Sequence, residues 1–160
     1  MHGIVNFKKN KIFEVISTNE KKTLSYQFQN NVYTIIFSGH IYNRNELKEL
    51  LARKNIELES GLEIEIVLKL YIVLGKEAIE RLNGAYSFVI WNEREKELFA
   101  VRDRFGLEPF YYAMKDGSFI FASSIKDILK HSEIKAQLNS TRNKRATWSW
   151  SSTLSRKNSI

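Results

Sequence analysis

The 160-residue sequence contains no cysteine. That excludes disulfides, iron–sulfur clusters, thiolate zinc sites and a thiol nucleophile together, and it leaves the redox compartment undetermined by cysteine pairing. There is one proline, and the seven glycines never fall into a P-loop or a Gly-x-Gly-x-x-Gly fingerprint, so nucleotide binding has no support. Apolar runs are too short to span a bilayer, and no basic start is followed by an apolar stretch. Neither secretion nor membrane insertion is expected, and the chain reads as cytoplasmic. Arginine does not occur before Arg44, and residues 140–160 contain no acid.

Against those absences stand a hydrophobic content of 43% and an aromatic content of 12%, enough for one buried core in a single domain. The formal charge of +7 is unevenly spread. Arg142, Lys144, Arg145, Arg156 and Lys157 lie in the last 21 residues, which leaves 20 basic and 18 acidic residues for the rest, a net of +2. The body is nearly neutral, and the basic excess belongs to the tail.

Apolar, β-branched runs at residues 3–7 and 11–17, around Lys8-Lys9-Asn10, predict a hairpin. Residues 32–38 (VYTIIFS) alternate too little for a half-exposed strand and are expected centrally in a sheet, after an Asn30-Asn31 turn. Leu47, Leu50 and Leu51 recur at helical spacing behind a candidate N-cap at Asn45, and a second helix is predicted over 63–74, stopped by Gly75. A short helix over 76–82 leads to a buried strand at 85–91. Strands at 97–102, 110–114 and 118–122 follow, the last two joined by Asp116-Gly117, and a helix over 124–131 closes the body. Strands gather at the two ends with helices between, which points to α+β layers. Residues 140–160, rich in Ser, Thr, Asn, Arg and Lys with Trp148 and Trp150, show no period and are expected to be a basic disordered tail to a domain of residues 1–139.

Several phrases recur in a familiar order. Phe37-Ser38-Gly39-His40-Ile41-Tyr42-Asn43 with Glu46-Leu47 is similar to an FNGEIYN…EL segment. Glu65-Ile66-Val67-Leu68, Tyr71 and Gly75 follow, then Glu80-Arg81-Leu82-Asn83-Gly84, Phe88 and Ile90-Trp91. The run from Arg102-Asp103-Arg104-Phe105-Gly106 through Pro109 to Tyr111-Tyr112 resembles RDRxGxxPxYY, and Phe121-Ala122-Ser123 with Ile125-Lys126 resembles FASEIK. On these motifs, from about Tyr33 to Leu138, the chain resembles the N-terminal glutaminase domain of the asparagine synthetase family of glutamine amidotransferases. The resemblance implies a four-layer N-terminal-nucleophile hydrolase sandwich, two antiparallel sheets between helices. It also implies a reaction in which a cysteine after the initiator Met attacks the glutamine side-chain amide, with its own α-amino group as base, and ammonia passes to a synthetase domain.

Residue by residue, the implied chemistry is missing. Met1-His2-Gly3-Ile4 stands where the family has MCGI, so His2 occupies the nucleophile position. An acyl-imidazole is labile, and initiator Met is retained before so large a residue, so a structural histidine is expected and no catalytic residue is assigned. Only 25 residues separate Phe7 from Tyr33, where the family spends several dozen on loops that bind the glutamine carboxylate; the domain is shortened there. Lys8, Lys9, Lys11, Lys21 and Lys22 offer point charges in place of a guanidinium fork. By the resemblance, Ser38 replaces an oxyanion-hole Asn beside Gly39, His40 replaces a Glu, and Glu63 stands where an Asp pairs with the substrate ammonium. Ser38, Gly39 and Glu63 are the expected vestigial substrate-binding residues.

The remaining candidates read as framework. Glu57, Glu59, Glu63 and Glu65 are expected on solvated strand and helix faces, not as a glycosidase pair or a metal site. Arg102-Asp103-Arg104 is expected to be a turn held by a buried or half-buried ion pair. His2, His40 and His131 lack metal-like spacing, so no metal and no cofactor are expected. The expected function is a degenerate or truncated glutamine amidotransferase domain without glutaminase activity, with glutamine binding weak or absent. Alternatives are an interaction module docking a separate synthetase, self-association into a homo-oligomer, and weak nucleic-acid binding by the tail, which no folded basic face supports. The compositional break near Asn139 is consistent with a frameshift there.

Overall fold

β-branched and aromatic runs set between turn residues build two antiparallel sheets in the computed structural model, which describes residues 1–6, 12–15, 23–131 and 134. In chain order the elements are β1 (His2–Asn6), β2 (Ile12–Val15), β3 (Thr23–Phe28), β4 (Asn31–Ile41), α1 (Arg44–Arg53) and α2 (Glu63–Leu74). A 3₁₀ turn (Gly75–Glu77) then leads to α3 (Ala78–Arg81), β5 (Gly84–Asn92), β6 (Glu97–Arg102), β7 (Tyr111–Lys115), β8 (Ser118–Ala122) and α4 (Ile125–Leu129). One sheet has the order β2-β1-β8-β7 and the other β3-β4-β5-β6. Each neighbouring pair is antiparallel, as hairpins dictate for β1/β2, β3/β4, β5/β6 and β7/β8.

Three apolar clusters separate four layers. Leu47 and Leu51 of α1 and Ile66, Val67, Leu68 and Leu70 of α2 pack on Ile35, Phe37, Phe88 and Ile90 of β4 and β5. The alternate residues of those strands, Ile36 and Val89, meet Phe121 and the partly buried Phe119 of β8 between the sheets. Ile120 and Ala122, on the other face of β8, are covered by Ile128 of α4. The order α1/α2, sheet, sheet, α4 is the expected sandwich. Because β4 and β5 are sandwiched by apolar layers on both faces, the unbroken runs at Ile35–Ser38 and Tyr86–Asn92 are fully buried.

Several local expectations are corrected. β3 had not been expected; it forms because Leu24 and Tyr26, two residues apart, pack on the α1/α2 cluster. Its turn to β4 uses Gln29 and Asn30, with Gln29 at φ +53°, not Asn30-Asn31. The N-cap of α1 is Asn43 rather than Asn45. Its side chain leaves the helix uncapped and instead donates to the Arg81 carbonyl (2.9 Å) and accepts from Asn83 N (3.1 Å), joining α1 to the α3/β5 junction. The predicted helix over 76–82 divides into the 3₁₀ turn and α3. Asp116 and Gly117 form the β7/β8 turn as expected, both at positive φ. The Lys8-Lys9-Asn10 turn and the tail of residues 140–160 lie outside the described residues.

Candidate functional site

The C-terminal end of β4 collects the residues expected at the site. Ser38 is buried and Gly39 adopts φ +107°, where a Cβ would stand 2.1 Å from the Ala85 carbonyl of β5. Only glycine fits so close an approach of the two strands. Glu63, the first residue of α2, returns its carboxylate to the same end. Oε1 accepts from Ile41 N at 3.2 Å, and Oε2 lies 3.5 Å from Nδ1 of the exposed His40. Ser38, Gly39 and Glu63 therefore border one short stretch of β4.

The Ser38 hydroxyl is engaged: it donates to Glu108 Oε1. Glu108 is held by its own backbone, whose N–H donates to Asp103 Oδ2 (2.9 Å) and whose carbonyl accepts from Arg102 Nε (2.7 Å). Asp103 is buried and also accepts from Phe105 N and Leu107 N, each at 3.0 Å. Burial raises its pKa, but the backbone N–H groups more than offset this and hold the carboxyl below its usual value. The expected ion pair at Arg102-Asp103-Arg104 is thus corrected. Asp103 is satisfied by backbone donors, and Arg102 spends its guanidinium on the Glu108 and Gly106 carbonyls.

His2 lies elsewhere. It pairs across the sheet with Ala122, and Ile4 with Ile120, so all four share the face that α4 covers. Its Nε2 is 3.1 Å from Nε2 of His131, the rings meeting edge to face at 5.2 Å. Burial first, then the neighbouring His131, lowers the His2 pKa from 6.5. Alternation turns His2 away from the inter-sheet space that β4 lines with Ile36. The described contacts thus bring Ser38, Gly39 and Glu63 together and leave His2 apart from them. The Met1 amino nitrogen donates to Ser123 Oγ (2.9 Å). Lys8, Lys9, Lys11, Lys21 and Lys22 lie outside the described residues.

The acidic group near α2 also differs from expectation. Glu57 and Glu59 are exposed, but Glu65 is buried and bonded to Lys69 at 2.9 Å, with only 4% and 5% of the two side chains accessible. Glu65 accepts from Glu59 N, Ser60 N, Ser60 Oγ and Gly61 N at 2.6–2.8 Å, and Lys69 donates to the Glu57 carbonyl at 2.7 Å. The pair fastens residues 57–61 to α2. Burial opposes ionisation of Glu65, yet these bonds bring its pKa down to about 2. Among the described residues no group of three or more His, Cys, Asp or Glu is placed to hold a metal ion. No described helix is long and apolar enough to cross a membrane.

Comparison with known proteins agrees with this architecture. Residues 15–153 match the family described as glutamine amidotransferase domain. The chain is 36% identical over 121 residues to asparagine synthetase [glutamine-hydrolyzing] 3 of Bacillus subtilis, covering 76% of this chain and 20% of that protein. It is 41% identical over 105 residues to a putative asparagine synthetase [glutamine-hydrolyzing] 2 of Methanocaldococcus jannaschii, covering 66% and 20%. It therefore spans about a fifth of the length of these relatives. Among solved structures it is similar to the glutamine phosphoribosylpyrophosphate amidotransferase of B. subtilis, with a TM-score of 0.61, 20% identity, and 79% of this chain and 36% of that chain covered. A second similar structure, an allosteric regulatory enzyme of purine biosynthesis, gives 0.59 at 24% identity, covering 66% and 24%. At these identities the two structures speak for the fold alone.

Proposed function

The chain belongs to the glutamine amidotransferase domain family, and we propose that it keeps that domain's scaffold without its glutaminase reaction. One observation carries the reading: the nucleophile position holds His2, in a chain with no cysteine, and His2 is turned to α4 and paired with His131. Acyl transfer needs a nucleophile within bonding reach of the amide carbon and donors aimed at the developing oxyanion. His2 shares no described contact with Ser38, Gly39 or Glu63.

The binding residues support the same reading. Ser38, the side-chain donor left at the oxyanion position, is spent on the Glu108 carboxylate, which sets a negative charge beside the place where an oxyanion would form. Arg102, at the end of β6 where that loop begins, is spent on backbone carbonyls. Glu63 remains able to face an ammonium group, but an amino acid also presents a carboxylate, and no arginine precedes Arg44 to receive it. Glutamine binding is therefore weak or absent. Phe105 and Leu107, 82% and 60% accessible in this loop, give a synthetase partner an apolar contact.

The test is direct. Purified chain incubated with glutamine should release no ammonia above a heat-treated control. Release that disappears in His2→Ala would sink the proposal.

A further inference from the structure

α4 is joined to the first strand of the fold by a contact that depends on proton number. His2 Nε2 in β1 faces His131 Nε2 at 3.1 Å, two residues beyond the end of α4, with the ring planes at 88°. We propose that this pair is a proton-operated latch, which holds α4 on β1 and β8 while at least one imidazole is neutral and releases it when both are charged.

The behaviour follows from the facing nitrogens. In the neutral pair one Nε2 carries hydrogen and the other offers its lone pair. A proton added to the far nitrogen of the donor ring leaves that hydrogen bond in place, now charge-assisted. A second proton, on the accepting Nε2, removes the only lone pair between the rings. Two N–H groups and two like charges then face each other at hydrogen-bond distance.

The surroundings do not relieve that state. The charged groups acting on His2 are Asp127 of α4, Lys130 and His131 just after it, and the amino group of Met1 just before β1. Burial, His131, Lys130 and the amino group all oppose a charge on His2, and Asp127 alone favours it. The Asp127 carboxylate is already bonded to Lys130 Nζ at 2.6 Å, which blunts its help. Because the folded state depresses the His2 pKa, this stabilisation is complete above the unfolded value near 6.5. It declines as pH falls below that and is lost by the lowered folded value.

α4 is suited to release. Five residues are too few to stay helical alone, so the helix depends on its Ser124 cap, on Ile128 against Ile120 and Ala122, and on the histidine contact. Ile125 and Leu129 are already 45% and 42% accessible, and release would add the face of β8 that α4 covers.

Amide hydrogen exchange of the whole chain at about pH 7.5 and about pH 4.5, corrected for intrinsic rates, tests the latch. Protection in α4 and at the start of β1 should fall by about tenfold or more at the lower pH, relative to β4 and β5. In His131→Gln the side-chain amide supplies both a donor and an acceptor, so the pH dependence should flatten; thermal unfolding at neutral pH verifies that this variant is folded. Retained protection at the lower pH in the unaltered chain, or an equal loss in His131→Gln, overturns the proposal.

Discussion

Ser38 and Glu108 are 70 positions apart in the chain, yet the serine hydroxyl of β4 donates to the glutamate carboxylate of the loop before β7. The loop cannot readily surrender that carboxylate, because Glu108 N and its carbonyl are both anchored, to Asp103 and Arg102. Loss of a single oxyanion donor costs an acyl-transfer enzyme about 10²–10³ in rate. On the proposed reading, the Ser38 donor is held here by a group of the wrong charge.

Supplying the thiol alone is therefore not expected to restore chemistry. His2→Cys removes the bulky residue before which initiator Met is retained, and it introduces a nucleophile. The new side chain nevertheless starts on the β1 face that α4 covers, and neither Ser38 nor the missing guanidinium is repaired. Glutamate formation by His2→Cys should match that by His2→Ala. A clear excess would mean that the nucleophile was the single missing part.

Glu65 should govern acid stability. Its carboxylate is buried, bonded to Lys69 and to three backbone N–H groups, and its pKa is brought down to about 2 from 4.5. A lowered carboxylate pKa stabilises the fold above the unfolded value and ceases to do so as pH falls to the folded value. About 3 kcal/mol should thus fade between pH 4.5 and 2. Glu65→Gln leaves the buried Lys69 with only the exposed Glu59 carboxylate, 3.7 Å away, as counter-ion and should cost about 3 kcal/mol at neutral pH. Its stability should then change less with acid than that of the unaltered chain, as read from urea midpoints across the pH range.

Legibility in the sequence tracked the strength of local pattern. Residues 97–102 and 118–122 are short apolar runs set between turn residues, and form β6 and β8 at those bounds; α2 likewise follows its apolar spacing from Glu63 to Leu74. β3 carries a period-two signal in Leu24, Tyr26 and Phe28, but Ser25 and Gln27 between them leave the segment without an apolar run. Glu65 and Lys69 stand four apart on one helix, a spacing that allows an ion pair, yet burial depends on the loop of residues 57–61 folding over them. The Ser38–Glu108 and His2–His131 contacts carry no sequence signal at all. They join residues more than 60 positions apart, and only the packing of the two sheets and α4 brings them together.

Gly39 should be the least replaceable residue at the site. An alanine there would need φ +107° and would press its Cβ to 2.1 Å from the Ala85 carbonyl, a backbone atom that the β4/β5 ladder holds in place. Gly39→Ala is expected to cost about 3 kcal/mol or more, and to lower the yield of folded protein. Gly75→Ala is the control. It also lies at positive φ, with ψ −138°, so it shares the backbone strain of about 1–3 kcal/mol, but a Cβ meets nothing within 4 Å and the loss should be smaller than for Gly39→Ala. Equal midpoints for the two variants in chemical unfolding would contradict the close approach of β4 and β5.

Asp103 sets the position of Glu108 and, through it, the state of Ser38. Oδ1 accepts from Phe105 N and Leu107 N, and Oδ2 from Glu108 N, so three backbone donors of one loop converge on a single buried carboxylate. Asp103→Asn preserves the shape and two of the acceptor contacts, but it turns an amide N–H₂ towards Glu108 N, where donor would face donor. The loss of one charge-assisted bond and the stranding of a backbone N–H should cost about 2 kcal/mol. The effect should also be local: Glu108 is freed to move, and the Ser38 hydroxyl to exchange its carboxylate partner for water. Amide exchange at residues 105–108 should quicken while that in α2 stays unchanged. If Asp103→Asn instead loosens β4, β5 and this loop together, Asp103 supports the whole sandwich rather than the placement of Glu108.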